Sequence, residues 1–363
     1  MKKKKGRVVL AVALASAMMS LLAGGSANAR RRTSCGATNA IVLSDPTGPV
    51  TPGGISRLAD DEYYVTYSRI GASGREGSFG LVTPDIICGP MGAEETIKST
   101  STGDYSGPYP GLEPGSQTFV IVFTGPSSTL VEERSPGGTY DDTTTFQAGL
   151  TAGTLQRIGS SLTRLSIAID PDTDSIYTQT LKTQDPATWG PLLLTKFGVS
   201  AGSTGSDVRA TAAWTGNGSK KKEIVMAWQY IRGGTGDRNI RYAINSNYQG
   251  STGWSSAHTL VSVPGEDLSE PFVFRWKGED RIYFLERNGS GGSSLAYMSS
   301  SDHAQTWTGP LDVPLPTPGG ETLADLTAPT LAKSVDGQFP VVVVGARAAD
   351  LGTHWLVAFE QGA

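Results

Sequence analysis

Six times along the chain, a short run of turn-forming residues is followed by an apolar, strand-like run. The apolar runs cover residues 62–68, 117–123, 175–180, 223–228, 281–285 and 339–344. One marker residue per turn gives spacings of 54, 58, 46, 60 and 59 residues; the markers are Asp60, Pro114, Asp172, Gly218, Gly278 and Gly337. A period of this size indicates a repeat architecture in which each unit is one supersecondary element.

Each repeat contains further strand-like runs around its main strand. A shorter run precedes the turn, as in residues 208–214, and a third run follows, as in residues 239–243. With a fourth strand this makes a four-stranded antiparallel blade, and we letter its strands A to D outward from the axis. We therefore predict an all-β fold, a six-bladed β-propeller over residues 38–363. The alternative is a sandwich of unequal halves, which the near-even spacing disfavours.

The last repeat lacks one strand, because the sequence ends soon after the apolar run 355–359. An isolated apolar run, residues 40–43, precedes the first repeat. Pairing that run into the last blade would close the ring and remove two open sheet edges.

The first 29 residues are typical of a secretory signal peptide. A basic start is followed by the apolar run 8–22 and by Ala27-Asn28-Ala29, which fits a cleavage site. The alternative is an uncleaved membrane anchor, for which the run is short. We predict a secreted protein with an N-terminal segment at residues 30–37.

Cleavage would remove five positive charges and no negative ones, so the formal net charge of −4 would become −9. An acidic chain argues against nucleic acid or an anionic membrane as a partner, and we expect a monomer. Two cysteines, Cys35 and Cys88, lie in this exported chain. We predict a disulfide between them, the alternative being two unrelated thiols.

A turn signature lies in the fifth repeat. Residues 300–307 read Ser-x-Asp-x-Ala-x-Thr-Trp, and degraded copies occur at residues 183–189 and 246–254. This octapeptide resembles the Asp-box of bacterial sialidases and other six-bladed propellers, although Ala304 stands where the family carries Gly. The resemblance implies that Ser300 and Asp302 bond turn backbone groups and that Trp307 packs between blades.

The candidate site is the face where A strands begin and B strands end, away from the Asp-box turns. The expected A-strand starts offer Arg57, Tyr109, Arg164, Arg209, Glu270 and Asp325. The expected B–C loops offer Arg69, Arg75, Glu76, Arg232, Asp237, Arg287 and Arg347. Arginines collect on this face although the mature chain is acidic.

The resemblance to sialidases implies three arginines that grip a sugar carboxylate. Arg57 falls near the place of the first, without the family's Arg-Ile-Pro motif, and Arg164 and Arg209 are possible partners. Arg69 and Arg287 complete the substrate-binding candidates. A guanidinium group suits this role because it binds a carboxylate bidentately. The alternative for each is pairing with a neighbouring acid or with backbone carbonyls.

The family's catalytic groups are a Tyr nucleophile paired with Glu, and a separate acid/base Asp. Tyr109 is the only tyrosine at an expected A-strand start, and Glu76 falls roughly where the acid/base lies. Glu270 and Asp325 could instead form the carboxylate pair of an ordinary glycosidase. Equally, these acids could only balance the arginines.

No cofactor or metal site is expected, because the three histidines are scattered and the 170–174 run lacks the rest of a calcium loop. Two functions follow for the mouth. One is a secreted sialidase-like glycoside hydrolase acting on a terminal sugar, with an acidic sugar favoured. The other is a non-catalytic propeller that binds carbohydrate or protein.

Overall fold

A computed structural model of the chain gives a fold built almost wholly of β-strands. It describes residues 38–42, 48–57, 62–70, 74–87, 89, 92–98, 101–112, 119–125, 128–134, 142–148, 151–157, 164–170, 175–184, 187–189, 193–198, 210–214, 223–231, 238–245, 253–289, 291–334, 337–349 and 352–362. The predicted signal peptide, Cys35 and Cys88 lie outside these ranges and stay predictions. Within these ranges, no helix is long and apolar enough to cross a bilayer.

The described strands form six antiparallel sheets, which we number as blades in chain order. Blade 1 runs outward as β2 (Val50–Arg57), β3 (Tyr63–Ile70), β4 (Glu76–Thr83) and β5 (Glu95–Lys98). Blade 2 contains β6 (Ser106–Leu112), β7 (Phe119–Thr124), β8 (Ser128–Arg134) and β9 (Asp142–Ala148). Blade 3 contains β10 (Thr151–Arg157), β11 (Arg164–Asp170), β12 (Ser175–Gln184), and both β13 (Ala187–Trp189) and β14 (Leu193–Gly198) beside β12.

The other three blades follow the same order. Blade 4 contains β15 (Ala210–Trp214), β16 (Ile224–Ile231), β17 (Arg238–Asn245) and β18 (His258–Val261). Blade 5 contains β19 (Glu266–Trp276), β20 (Glu279–Asn288), β21 (Ser293–Ser300) and β22 (Thr308–Asp312). In blade 6, a 3₁₀ turn at Pro318–Gly320 precedes two short inner strands, β23 (Leu323–Ala324) and β24 (Thr330–Lys333). Both pair with β25 (Pro340–Ala348). Outward from β25, the sheet continues with β26 (His354–Glu360) and then β1 (Thr38–Val42).

The sheets are arranged as a closed ring. The innermost strands of successive blades contact one another, and β24 and β25 of blade 6 contact β2 of blade 1. Strand β1 completes blade 6 in a register that runs from Thr38 opposite Phe359 to Val42 opposite Trp355. The predicted β-propeller, and its closure by the N-terminal strand, are therefore confirmed. Four blades have the expected four strands, and blades 3 and 6 have five.

Blade 3 differs from the sequence-based assignment. The strand that begins at Arg164, which the sequence analysis took as the A strand, is the second strand β11, and the innermost strand is β10. The turn at residues 171–174 therefore joins the second and third strands. The physical reason is that every hairpin of a blade uses the same turn chemistry, so a Pro-Asp turn does not say which pair of strands it joins.

Close packing of neighbouring blades depends on two glycines. A Cβ atom on Gly53 of β2 would lie 1.8 Å from the carbonyl oxygen of Pro108 in blade 2. A Cβ on Gly345 of β25 would lie 1.8 Å from the carbonyl oxygen of Val50 in blade 1. Only glycine allows these backbones to approach so closely.

Apolar side chains fill the spaces between blades. One cluster joins blades 4 and 5 through residues such as Ile240, Ile282 and Phe284, and another joins blades 5 and 6. On the axis, Tyr109 of blade 2 stacks on Phe272 of blade 5 with ring centroids 6.5 Å apart, and both are buried. Blades 2 and 5 are opposite each other in a ring of six, so this aromatic pair fills the channel between them.

The Ser300–Trp307 turn has the internal bonding that its sequence predicts. The Asp302 carboxylate accepts bonds from the backbone N–H groups of Gln305 and Thr306 at 3.1 and 2.9 Å, and Ser300 Oγ accepts one from Ala304 N–H at 2.9 Å. Trp307 meets Tyr242 of blade 4 edge-on, at 5.4 Å between centroids. The φ of Ala304 is 61°, which explains why glycine suits this position.

Candidate functional site

The mouth, as we define it, is the end of the ring where innermost strands begin and second strands end. Near this end, the pairing between the innermost strand and the second strand is interrupted in five blades. In blades 1, 2, 3 and 5 the register shifts between Pro52 and Gly54, Ser106 and Tyr109, Ala152 and Leu155, and Ser269 and Phe272, respectively. In blade 6 the innermost strand is divided into β23 and β24. Such interruptions release residues from strand pairing and change where their side chains point. At the mouth, therefore, some side chains of the innermost strands do not alternate between the two faces of the blade as they do elsewhere.

Glu270 lies in one of these interruptions. It is half-buried in β19 with a φ of 55°, and it falls between the paired residues Ser269 and Phe272. A positive φ is unusual for a residue other than glycine, and such conformations concentrate at active sites and ligand clamps. The structure places Glu270 on the innermost strand β19.

Asp325 occupies the matching interruption on the next blade. It follows β23, has a φ of 48°, and accepts a 2.5 Å bond from Nε of Arg347. Its side chain is 52% exposed, so it faces solvent at the mouth. The arginine places a positive charge beside this carboxylate.

Arg287 and Ser293 of blade 5 hold the backbone that follows Asp325. Arg287 Nη2 is 3.4 Å from the carbonyl oxygen of Leu326, and the Leu326 N–H donates to Ser293 Oγ at 3.0 Å. Glu270 and Asp325 therefore lie on adjacent blades whose mouth segments are bonded to each other. Arg287 is at the mouth as predicted and is exposed.

Glu76 begins β4 at the mouth end of blade 1, half-buried beside blade 2. Burial raises the pKa of its carboxyl group, the nearby hydroxyl group of Ser68 lowers it, and the negative charge of Asp104 raises it. The Tyr105 N–H donates to the Glu76 carbonyl oxygen at 2.9 Å, which ties the start of blade 2 to this residue. Three candidate carboxyl groups thus lie on the consecutive blades 5, 6 and 1.

Tyr109 lies lower in the ring than the sequence analysis expected. It is the fourth residue of β6, only 4% exposed, and packs against Phe272 and over Gly54. It forms the floor of the mouth, within the apolar core. This packing gives Tyr109 a structural role, whereas Glu76 and Glu270 are half-buried and Asp325 is exposed.

The expected three-arginine site does not form from Arg57 and Arg164. Arg57 is the last residue of β2, about 23 Å along the strand from Val50 at the mouth. Arg164 begins β11 opposite Arg157, the last residue of β10, so it too is at the opposite end. The expectation that these two converge at the mouth is wrong. Arg57 ends its innermost strand instead of beginning it, and Arg164 begins the second strand of its blade instead of the innermost one. Arg209, Arg232 and Asp237 lie outside the described residues.

Arg69 is used inside blade 1. Its side chain is 7% exposed, and its Nε and Nη2 atoms bond the two Glu94 oxygens at 3.1 and 2.5 Å. The guanidinium also lies 4.3 Å from the centre of the Phe79 ring. The carboxylate that this arginine grips is therefore Glu94, and the predicted role in substrate binding is wrong for the described conformation.

The rim of blade 5 carries a pocket of about 160 Å³. It is lined by Glu266, Glu286, Asn288, Gly292, Ser293 and Ser294. Burial raises the pKa of Glu286, and the negative charges of Glu266 and Asp312 raise it further. The sequence analysis missed this pocket and the ladder interruptions. The signal for the latter was a proline in or beside the innermost strand of four blades: Pro52, Pro108, Pro271 and Pro329.

The described mouth is acidic overall. Its carboxylates include Glu266, Asp267, Glu270 and Glu286 of blade 5, in addition to Glu76, Asp104 and Asp325. The arginines Arg75 and Arg347 are paired with Asp104 and Asp325, at 3.3 and 2.5 Å. Across the described ranges, no cluster of three or more His, Cys, Asp or Glu side chains could hold a metal ion.

No protein-family model matches the chain. No curated protein matches it either. Among solved structures, an α-L-arabinofuranosidase mutant from Fusarium graminearum aligns with a TM-score of 0.57 at 11% identity, covering 90% of this chain and 98% of that one. An α-L-arabinanase from Penicillium chrysogenum has the same TM-score and coverage at 13% identity. A Trypanosoma rangeli sialidase aligns at 0.55 and 9% identity, covering 90% of this chain and 60% of that one. The chain therefore shares its propeller fold with known glycosidases.

Proposed function

We propose that the protein is a glycoside hydrolase whose active site is the mouth of the propeller. The observation that carries this proposal is the position of Glu270 and Asp325. Both have positive φ values at interruptions of the innermost strands on adjacent blades. Backbone strain of this kind costs free energy and persists where the surrounding structure fixes a side chain for a task.

Glycosidases need one carboxyl group that holds a proton and one that is ionised. Glu76 suits the first role, because burial and Asp104 both raise the pKa of its carboxyl group. Asp325 is the carboxylate that Arg347 holds in position. Glu270 is our candidate for the nucleophile, or for the base that activates water. In the reaction, the acid protonates the leaving oxygen of the glycosidic bond while the carboxylate or the activated water attacks the anomeric carbon of the sugar.

We further propose that the sugar is uncharged. The described mouth has more carboxylates than arginines, and two of its arginines are paired with acids. An anionic sugar would meet unfavourable charge there, so sialic acid, which the resemblance favoured, is the less suitable substrate. Export of the chain, removal of residues 1–29, a Cys35–Cys88 disulfide and a monomeric state remain parts of the proposal that rest on the sequence.

The second candidate is a binding protein without catalysis. It is favoured by the low solvent exposure of Tyr109, which removes the one tyrosine that the resemblance offered as a nucleophile. In that case the same mouth would bind a terminal sugar, and the carboxyl groups would accept hydrogen bonds from its hydroxyl groups.

A panel of chromogenic glycosides tests these alternatives. It should contain neutral furanosides and pyranosides, a uronide and a sialoside, each assayed with the wild type beside calorimetry with the free sugars. We expect turnover of a neutral glycoside and none of the sialoside. Turnover of the sialoside alone would overturn the uncharged-sugar proposal. Binding without any turnover would support the second candidate, and neither binding nor turnover would reject both.

A further inference from the structure

The segment that joins β23 to β24 is bonded to the blade on each side of it as well as to its own. We call its first three residues, 325–327, the mouth bracket. The bracket begins with Asp325, whose φ is 48°. Its bonds reach blades 5 and 1, which carry the other two candidate carboxyl groups, Glu270 and Glu76.

Blade 5 holds the backbone of Leu326. The Leu326 N–H donates to Ser293 Oγ at 3.0 Å, and Arg287 Nη2 lies 3.4 Å from the Leu326 carbonyl oxygen. Ser293 is opposite Arg287 in the sheet. Arg287 is also opposite Asp267 on β19, the strand that carries Glu270. The Leu326 side chain is buried in the apolar cluster between blades 5 and 6, so this side of the bracket is fixed by packing and by hydrogen bonds.

Thr327 connects the bracket to blade 1. Its hydroxyl group donates to the carbonyl oxygen of Val50 at 2.5 Å. Its N–H donates to the carbonyl oxygen of Gly345 in β25 at 2.8 Å. Val50 is the first residue of β2 and Glu76 is the first residue of β4, so both lie at the mouth end of blade 1. One threonine therefore bonds to the backbones of blades 6 and 1.

A glycine leaves room for this contact. A Cβ atom on Gly345 would lie 2.2 Å from Thr327 Oγ1 and 1.8 Å from the carbonyl oxygen of Val50. An alanine there would push Thr327 and Val50 apart. The hydroxyl bond and the close approach of blades 6 and 1 therefore depend on the same glycine.

Asp325 needs support from its neighbours in the chain. Its positive φ costs free energy and persists only where the surrounding structure fixes the backbone. Arg347 orients the Asp325 carboxylate, but the two side chains are 36% and 52% exposed, and an exposed ion pair gives little rigidity. Leu326 is buried and Thr327 is half-buried, so their hydrogen bonds are better shielded from water. These bonds are therefore the contacts that fix the backbone of Asp325.

We propose that Thr327 is a positioning residue of the active site, whose hydroxyl bond to Val50 holds Asp325 in a fixed place relative to Glu270 and Glu76. This inference rests on the proposed glycosidase function. Thr327 acts through the backbone and does not contact the sugar. A displacement of about 1 Å can lower a reaction rate by about 10²-fold. Loss of the bond should therefore slow the chemical step and leave the affinity for the substrate nearly unchanged.

Two substitutions at this residue separate the hydroxyl group from the shape of the side chain. Thr327→Val keeps the shape and removes the hydroxyl group, whereas Thr327→Ser keeps the hydroxyl group. With the chromogenic neutral glycoside that the wild type hydrolyses fastest, we expect Thr327→Val to lower kcat about 10–100-fold and to change KM less than about twofold. Thr327→Ser should restore most of the rate. Thr322→Val, at an exposed residue of the same blade, is the matched control and should keep the wild-type kcat.

Hydrogen exchange of the full chain tests the bracket without a substrate. The Leu326 amide is the probe, because residue 327 follows it and does not enter its intrinsic exchange rate. We expect Thr327→Val to raise the exchange rate of this amide about fivefold or more, and Thr327→Ser to leave it near the wild-type rate. Ser293→Ala removes the acceptor of the same N–H, so it should also raise the exchange rate and lower kcat. It decides the matter if Thr327→Val does not fold.

The two measurements distinguish failure of the positioning role from failure of the glycosidase function. A wild type without turnover of any glycoside would reject the glycosidase function, and the Leu326 exchange rate would then decide alone whether Thr327 holds Asp325 in place. Wild-type kcat in Thr327→Val, or an unchanged Leu326 exchange rate, would overturn the positioning role. A higher KM with unchanged kcat would also overturn it. A loss of rate that Thr327→Ser does not restore would count against the hydroxyl bond as its cause.

Discussion

Asp302, at the end opposite the mouth, accepts four hydrogen bonds from Ser300, Gln305 and Thr306 within its own turn. These bonds hold the pKa of its carboxyl group well below the usual range, with Thr306 making the largest contribution. At the mouth, burial raises the pKa values of Glu76 and Glu286 above the usual range. The Asp302 turn and the mouth of the same propeller therefore place their carboxyl groups in opposite environments.

This difference separates groups that hold the fold from groups that are free to do chemistry. A carboxylate whose oxygens are already bonded by its own turn has little capacity left for a ligand. A carboxyl group with a raised pKa and a strained backbone costs stability, and such groups concentrate at functional sites. The comparison can be tested by substituting matched acids at the two ends.

The largest expected effect is on turnover. Glu270→Gln and Glu76→Gln should each lower the rate of glycoside hydrolysis by about 10²–10⁴-fold, because each removes a group that transfers a proton or attacks the sugar. Sugar binding by calorimetry should change little. Asp302→Asn serves as the matched control at the opposite end and should leave turnover unchanged. Full activity in both glutamine variants would remove the mouth carboxyl groups from the mechanism.

The next effect concerns the floor of the mouth. Tyr109→Ala should lower the free energy of unfolding by about 3–5 kcal/mol, because it removes a buried ring that stacks on Phe272. Tyr109→Phe keeps the ring and should cost no more than about 1.5 kcal/mol. Chemical denaturation measures both. If Tyr109→Phe were fully stable but inactive, the tyrosine nucleophile implied by the sialidase resemblance would be restored.

The smallest effect is the pH dependence of the Asp302 turn. The folded protein has a lower pKa at this carboxyl group than the unfolded chain, so the stability it contributes is present above about pH 4 and is lost as the pH falls. Asp302→Asn should therefore be less stable than the wild type at pH 6, and the difference should shrink at pH 3. Urea unfolding at both pH values measures this, with Asp267→Asn at an exposed residue of blade 5 as the control. A difference that grows on acidification would contradict it.

The fold was more accessible from the sequence than the site. Turn residues and apolar runs recur with each blade, so the propeller and its closure by β1 could both be predicted. Blade 3 was misassigned because residues 171–174 form a turn that fits any hairpin. The polar innermost strand β10 lacks the apolar signal of the others. Arg57 shows a further limit, since an error in strand direction moves a side chain from one end of the ring to the other.

The site depends on contacts that no local pattern encodes. Glu94 takes the guanidinium of Arg69, and Arg347 pairs with Asp325 on the neighbouring strand. Glu270 and Asp325 were among the candidates because they lie in innermost segments near the mouth. Their strained backbones arise where the strand pairing is interrupted. The prolines nearby indicate that an interruption is present, but they do not say which residue adopts a positive φ.

The closure of blade 6 has a consequence for how the chain acquires its structure. Thr38 pairs with Phe359, so the first described strand has no partner in its sheet until the last described strand has been made. Every other described ladder joins strands close together in sequence, and can form while synthesis or refolding is still in progress. The entropic cost of closing a loop grows only slowly with its length, so the delay is one of time rather than of free energy. Until β26 arrives, β1 and the outer edge of blade 6 remain open to pairing with another chain.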